Sequence, residues 1–286
     1  MKARINKKIS NEDVIHNLFS QYLKFINYPQ IPFPKDVKII MKDILSMNIK
    51  EKEYESSGSV RLSDDSNYRF NFILDQTILD CCEQYQSTIY HEFTHIMDDA
   101  VLNQLEDYAN FFHKYNGISE IRASYIEYLI ITGSKSITDL NISKTHKIIE
   151  CDFVSKPTPI EYLHQQYQNY LISSLSDNTS LGSRGDFNIR QLYYYIGFCR
   201  CIESKLNITI DHNRVIETYT KLFGNSVRNI IRLGYEVDLG FSDANAGLIT
   251  DFCNSVQQCI DYYKQNVIYA ERDKTLEEIK KRLMSF

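Results

Sequence analysis

The pattern of apolar and polar positions near the N-terminus predicts one helix followed by a small sheet. Residues 11–27 carry apolar side chains at helical spacing, and Ser10 or Asn11 can cap this helix. Three prolines then favour an extended link rather than more helix. Three short runs with strand character follow, at Val37–Met41, Ser59–Leu62 and Tyr68–Leu74. The last two flank a polar segment that predicts a hairpin turn.

Helical spacing dominates the rest of the chain. A long helix is predicted from about Asp80 to about Glu106, and a second at Ile118–Ile131 after a turn at Asn116–Gly117. A Ser/Thr/Lys-rich connection follows, with a weak strand or helix at Ile148–Phe153. Loops are expected at 48–58 and 176–186. The remaining helices are predicted at 159–175, 187–206, 211–223, 225–234, 243–266 and 273–284.

These elements predict an α+β fold that is predominantly α. Residues 1–157 would contain the N-terminal helix, a small antiparallel or mixed sheet, and the next two helices. Residues 158–286 would form a helical C-terminal subdomain. A chain of 286 residues can form one large domain or two smaller ones, each with an apolar core.

Composition and charge narrow the classes of function. The formal net charge of −5 gives no general attraction to nucleic acid or to an anionic membrane. The basic N-terminus is followed by polar residues, so neither a signal peptide nor a membrane span is expected. The seven cysteines are odd in number and form no C-x-x-C pair, which argues against disulfides and a cysteine metal site. We therefore expect a cytoplasmic protein with reduced thiols, while its oligomeric state stays open.

The strongest chemical signal is the sequence TIYHEFTHIM at Thr88–Met97. His91 and His95 are four residues apart, so on a helix both imidazoles lie on one face and can bind one Zn²⁺. Glu92 follows the first histidine and can act as a base on a water at the metal. The neighbouring residues are mostly apolar, as a buried helix requires. This pattern is typical of metal-dependent hydrolysis.

With these residues the chain resembles the zincin metallopeptidases, whose extended signature fits every position from Thr88 to Met97. Asp98 and Val101 stand where the metzincin pattern has glycine and histidine, which excludes that class. The resemblance to gluzincins implies a third ligand from the next helix, and Glu120 has a suitable spacing. A small residue one turn later, Ala123, would let the two helices pack closely.

The Glu-x-x-Ala pattern is also similar to the second helix of metallopeptidases by which mobile elements cleave their repressors, although the downstream chain here is longer and more helical. Two other carboxylates compete for the third position. Glu127 lies on the same helix face as Glu120, and Glu106 lies near the end of the motif helix. Asp98 continues the histidine face, where it either accepts a hydrogen bond from a ligand imidazole or from a neighbouring segment of the chain, or is a surface charge.

The predicted function is a zinc-dependent peptidase that acts on a peptide or protein substrate, with Glu92 as general base and His91, His95 and Glu120 as metal ligands. The alternative is a non-catalytic, zinc-stabilised binding protein or an inactive zincin-fold protein of a mobile element. In gluzincins a tyrosine or histidine beyond the third ligand stabilises the oxyanion. Spacing does not select among the available side chains, which are Tyr193, Tyr194, Tyr195, His146, His164 and His212.

Overall fold

The computed structural model of the chain describes residues 10–43, 58–82, 85–102, 108–139, 147–148, 158–176, 185–239 and 246–268. Helix predominates and the strands are short, so the predicted class, α+β and mainly α, is confirmed. The elements in chain order are α1 (Asn11–Phe25), β1 (Val37–Lys42), β2 (Gly58–Leu62), β3 (Phe70–Asp75), α2 (Gln76–Asp80), α3 (Gln86–Leu102), α4 (Tyr108–Ile131), β4 (Lys147–Ile148), β5 (Thr158–Pro159), α5 (Leu163–Ser176), α6 (Gly185–Leu206), α7 (Asn213–Phe223), α8 (Val227–Glu236) and α9 (Ala246–Tyr263).

The chain forms two compact units, and helix α4 contributes residues to both. The first unit comprises Met1–Ala100 and Ile126–Asn141, and the second comprises Val101–Tyr125 and Ile142–Phe286. The domain boundary predicted between residues 157 and 158 adjoins 149–157, which lie outside the described residues. The division into 1–157 and 158–286 therefore stays a prediction.

The first unit contains a three-stranded mixed sheet in which β3 is central. It pairs in parallel with β1 and antiparallel with β2. Because side chains alternate along a strand, Phe72 shares one face with Ile39 opposite it in β1 and Val60 opposite it in β2. That face packs on α3, where the rings of Phe72 and Phe93 stack with centroids 5.5 Å apart. The predicted small sheet before the motif helix is therefore confirmed.

Helix α1 begins at the predicted cap and packs on α3. The Ser10 hydroxyl accepts the amide hydrogen of Asp13 at 3.1 Å, and the Asp13 carboxylate accepts that of Ser10 at 3.3 Å. Further along, the buried hydroxyl of Tyr22 donates to Thr94 Oγ1 at 3.1 Å, and Thr94 donates to the carbonyl of Tyr90 at 2.8 Å. The motif helix is thus fixed to α1 by a buried chain of hydrogen bonds.

Helix α3 begins later than predicted. Asp75, at the end of β3, accepts the amide hydrogen of Thr77 at 2.7 Å and starts the separate helix α2, which ends at Asp80. Cys81 leaves the helical conformation with φ −117° and ψ 38°. The motif helix therefore starts at Gln86 and not at about Asp80. Hydrophobic spacing missed this break because it is a local change of backbone conformation at Cys81, between the two helices.

The predicted turn at Asn116–Gly117 is wrong, because α4 continues through both residues. A Cβ on Gly117 would lie 2.8 Å from Cε1 of Phe252 and 2.9 Å from Cζ of Tyr193. Glycine at this position therefore makes room for two aromatic rings from other helices of the second unit. Local turn propensity indicated a chain reversal where the glycine instead serves packing.

Helices α5 to α9 lie close to five of the helical segments predicted after residue 158. The described strands β4 and β5 form a short antiparallel pair, and β4 includes Ile148. Several predicted segments lie outside the described residues in whole or in part, namely 48–57, 149–153, 177–184 and 273–284.

In the part of the chain that the structure describes, no helix has the length and apolar character needed to cross a membrane.

Candidate metal centre

Helix α3 presents His91 and His95 on one face, with ring centroids 4.9 Å apart and ring planes at 77°. His91 is 7% exposed and His95 is partly buried. The other side of this helix is apolar and buried, with Ile89, Tyr90, Phe93, Ile96 and Met97 all 2% exposed or less. Each such side chain stabilises the fold by about 1.5–3 kcal/mol when buried. Rotation of the helix about its axis would expose them, so the direction of the two histidines is fixed.

Helix α4 supplies the carboxylate that completes the group. Among the described residues, one ligand atom each from His91, His95 and Glu120 lie within 4.8 Å of one another. Glu120 is 3% exposed, and Ala123, one turn later, is fully buried. Two imidazole nitrogens and one carboxylate oxygen are a donor set that suits a divalent metal with further positions for water or substrate. The group could therefore hold a metal ion.

The rival carboxylate, Glu127, contacts a histidine of this group. Its Oε2 lies 2.9 Å from Nδ1 of His91, and its side chain is 26% exposed. A carboxylate accepts hydrogen bonds, so Nδ1 of His91 carries the hydrogen, and in the neutral ring Nε2 then carries the lone pair. Glu127 thereby orients His91 and sets its tautomer, as carboxylates beside metal-binding histidines do. The other rival, Glu106, lies outside the described residues.

Glu92, the predicted general base, is 7% exposed and lies against the first residue of β2. A Cβ on Gly58 would be 3.0 Å from Cγ of Glu92 and 3.5 Å from its Oε1. Gly58 lies opposite Leu74 in the antiparallel pair, on the sheet face that packs on α3. The absence of a side chain at Gly58 therefore makes room for the Glu92 carboxylate. Sequence reasoning missed this contact because it depends on strand register.

Asp98 is 1% exposed, so the interpretation of Asp98 as a surface charge is wrong. Its burial on the histidine face of α3 agrees with the predicted role as a hydrogen-bond acceptor. Whether Asp98 accepts its hydrogen bond from a ligand imidazole or from a neighbouring segment of the chain stays a prediction.

Arg190 adds a cation that sequence reasoning also missed. Its Nε lies 3.3 Å from Oε1 of Glu120, and its side chain is 49% exposed whereas that of Glu120 is 4% exposed. The guanidinium therefore extends from the surface of the second unit to the buried carboxylate. Glu120 and Arg190 are far apart in the sequence, and no motif surrounds Arg190 on α6. A local sequence pattern therefore could not have predicted their contact.

Several side chains predicted as possible oxyanion donors have structural contacts within the second unit. The Tyr195 hydroxyl accepts a hydrogen bond from Gln168 at 2.9 Å and lies 2.9 Å from Nδ1 of His212. Burial raises the pKa of Tyr195 and lowers that of His212. Tyr193 packs beside Gly117. Of the remaining candidates, Tyr194 and His164 are partly buried, and His146 lies outside the described residues.

The described cysteines take no part in this group. The described cysteines are reduced thiols, and four of them are buried, namely Cys199, Cys201, Cys253 and Cys259, whereas Cys81 and Cys82 are more exposed. Cys151 lies outside the described residues. The group thus combines nitrogen and oxygen donors, and the carboxylate of Glu92 follows His91 directly in the chain. A comparison with known protein families, curated proteins and solved structures finds no match to the chain.

Proposed function

We propose that the chain is a zinc-dependent peptidase of the gluzincin type, active in the cytoplasm. The observation that carries this proposal is the group of His91, His95 and Glu120, whose ligand atoms lie within 4.8 Å of one another. A mixed nitrogen and oxygen set of three protein ligands is common in catalytic zinc sites, whereas structural sites are usually closed by four ligands rich in cysteine.

The chain's residues divide the work of hydrolysis as follows. His91, His95 and Glu120 would hold zinc, which when bound supplies a Lewis acid that polarises water and a carbonyl oxygen. Glu92 would accept a proton from the attacking water and return it to the departing amine. Glu127 would keep His91 in the tautomer that binds metal through Nε2. The carboxylate of Glu92 would thus act next to the metal but not on it.

The sheet offers a place for the substrate backbone. β2 lies at one end of the strand order β1-β3-β2, so one of its edges is not paired with either of the other two strands. An extended peptide can add to such an edge by main-chain hydrogen bonds. Because Gly58 of β2 lies against Glu92, a peptide on this edge would pass near the proposed base.

The rival proposal is a zinc-stabilised binding protein without activity. A structural site would have no use for a base at Glu92 or for a glycine that makes room for it. Elemental analysis of protein never exposed to chelator separates the possibilities at the first step, since about one zinc per chain is expected. Cleavage of a peptide library by wild type and by Glu92→Gln then tests catalysis. Metal without cleavage in wild type would favour the binding protein, and absence of any transition metal would refute both.

A further inference from the structure

We propose that Arg190 donates the hydrogen bonds that stabilise the negative charge developing on the substrate carbonyl oxygen. This inference rests on the proposed peptidase function and names a catalytic residue for it. In the reaction, water gives a proton to Glu92 as its oxygen bonds to the carbonyl carbon, and the carbonyl π electrons move onto the carbonyl oxygen. That electron pair then re-forms the C=O bond while the C–N bond breaks, and the departing nitrogen takes the proton from Glu92, which leaves a carboxylic acid and an amine. The transient oxyanion is the charge that a cation must offset.

The first argument is position. Arg190 Nε lies 3.3 Å from Oε1 of Glu120, and Glu120 belongs to the group that could hold the metal. A substrate carbonyl polarised at that group would therefore develop its charge close to the guanidinium. Electrostatic stabilisation depends on donors that are in place before the reaction, and an arginine held by a buried carboxylate meets that requirement.

The second argument is donor capacity. Arginine carries five N–H donors in a fixed planar arrangement, and the ion pair with Glu120 occupies the Nε side. The side chain is 49% exposed, so the rest of the fork is within reach of a ligand from solvent.

The third argument concerns the other candidates. Tyr195 and His212 form a hydrogen bond with each other in the interior of the second unit, and Tyr193 packs on Gly117. Tyr194, one helical turn after Arg190 on α6, is the remaining rival on the same helix face. The comparison of Arg190 with Tyr194 therefore separates the two candidates on this helix face.

The test measures anion binding and not turnover. Wild type, Arg190→Gln, Arg190→Lys and Tyr194→Phe are loaded with Co²⁺, whose visible absorption reports on its ligands. Each is titrated with inorganic phosphate as a tetrahedral oxyanion and with imidazole as a neutral metal ligand. Arg214→Gln is the matched control, because Arg214 is an exposed arginine of the same unit that contacts Asn169 at 3.3 Å.

We expect Arg190→Gln to bind phosphate at least tenfold more weakly with unchanged affinity for imidazole and Co²⁺, and Arg190→Lys to fall between it and wild type. Equal loss of phosphate and imidazole, or loss of Co²⁺, would overturn the inference, because Arg190 would then only position Glu120. Phosphate binding that depends on Tyr194 and not on Arg190 would overturn it as well. A wild type that binds no Co²⁺ would refute the proposed function itself, and this inference with it.

Discussion

Oε2 of Glu127 lies 2.9 Å from Nδ1 of His91, while Glu120, seven residues earlier on the same helix, shares the metal group with that histidine. At 1.5 Å rise per residue, the two carboxylate positions are about 10.5 Å apart along the helix axis. One helix face can therefore supply both a proposed metal ligand and the hydrogen-bond acceptor that orients another proposed ligand.

This relationship predicts unequal effects of two alanine substitutions on metal affinity. Glu120→Ala removes a proposed ligand and should weaken zinc binding strongly. Glu127→Ala removes the acceptor for His91 and should weaken it about 10–100-fold, as losses of such supporting contacts do. Competition with a zinc chelator measures both. If Glu127→Ala strips the metal and Glu120→Ala leaves it bound, the third ligand has been misassigned.

Glu92→Gln should retain both fold and metal but lose turnover. The amide fills the same space beside Gly58 but cannot accept the proton from water. Proton transfer by a positioned base contributes about 10²–10⁴-fold, so a loss of that size is expected in kcat. Zinc content and the circular dichroism spectrum serve as controls. Loss of zinc from this variant would mean that Glu92 is a ligand.

Gly58→Ala should lower turnover without changing metal affinity. The new methyl would lie 3.0 Å from Cγ of Glu92, so the base must shift by a few tenths of an ångström. Because small displacements of reacting groups are costly, we expect a loss of about tenfold. Ser59→Ala is the matched control, since the next residue of β2 faces the other side of the sheet. Equal activity of the two variants would argue against a role for this contact.

Gly197→Ala should destabilise the second unit. A Cβ at this position would lie 2.8 Å from Cβ of Ser124 and 2.9 Å from the backbone nitrogen of Tyr125, so α6 and α4 would have to separate. Such overpacking destabilises the folded state by about 1–3 kcal/mol. The higher helix propensity of alanine offsets at most about 1 kcal/mol of this loss. Urea unfolding measures the change.

Gly234→Ala provides the contrast to Gly197→Ala. Its Cβ would meet the terminal methyl groups of Ile121 and Ile196 at 3.1 Å, and these flexible ends can move. Its unfolding free energy should therefore be close to that of wild type. A Gly197→Ala variant as stable as Gly234→Ala would contradict the close backbone packing described for α4 and α6.

The stability of the folded protein should fall as the pH drops below about 6.5. Burial lowers the pKa of His212 in the folded state. As the pH falls, the unfolded chain therefore binds the proton first, and protonation stabilises the unfolded state relative to the folded one. The nearby carboxylates of Glu203 and Asp211 oppose this shift and limit its size. Urea unfolding of wild type and His212→Gln between pH 5 and 8 measures the effect. A pH slope that persists unchanged in His212→Gln would exclude this histidine as its source.

Interactions close in sequence were predictable, and those that depend on tertiary packing were not. The spacing of His91 and His95 fixes their shared helix face, and the capping box at Ser10 is readable from the sequence. Gly117 misled the prediction because its role comes from rings on two other helices. The ion pair of Arg190 with Glu120 is a meeting of two distant helices. Neither composition nor periodicity records such a contact.

The position of Glu120 was partly predictable from the sequence. Its spacing after His95 and the small residue at Ala123 indicated a carboxylate close to the histidines, and the structure brings the three side chains together. The role of Glu127 could not be deduced, because a carboxylate on the same face can bind either a metal or a histidine. The difference depends on the approach of α4 to α3, which the sequence does not encode locally.

The sheet topology also has a consequence for the order of folding. β2 and β3 form a hairpin that closes a short loop, whereas β1 pairs with β3 in parallel, with Val37 opposite Phe70. Short loops close with less loss of chain entropy, and distant pairings slow folding. The hairpin, which includes Gly58, can therefore form before β1 joins the sheet. We therefore expect the surface beside Glu92 to form in the early, local part of the folding reaction, and the sheet to be completed late.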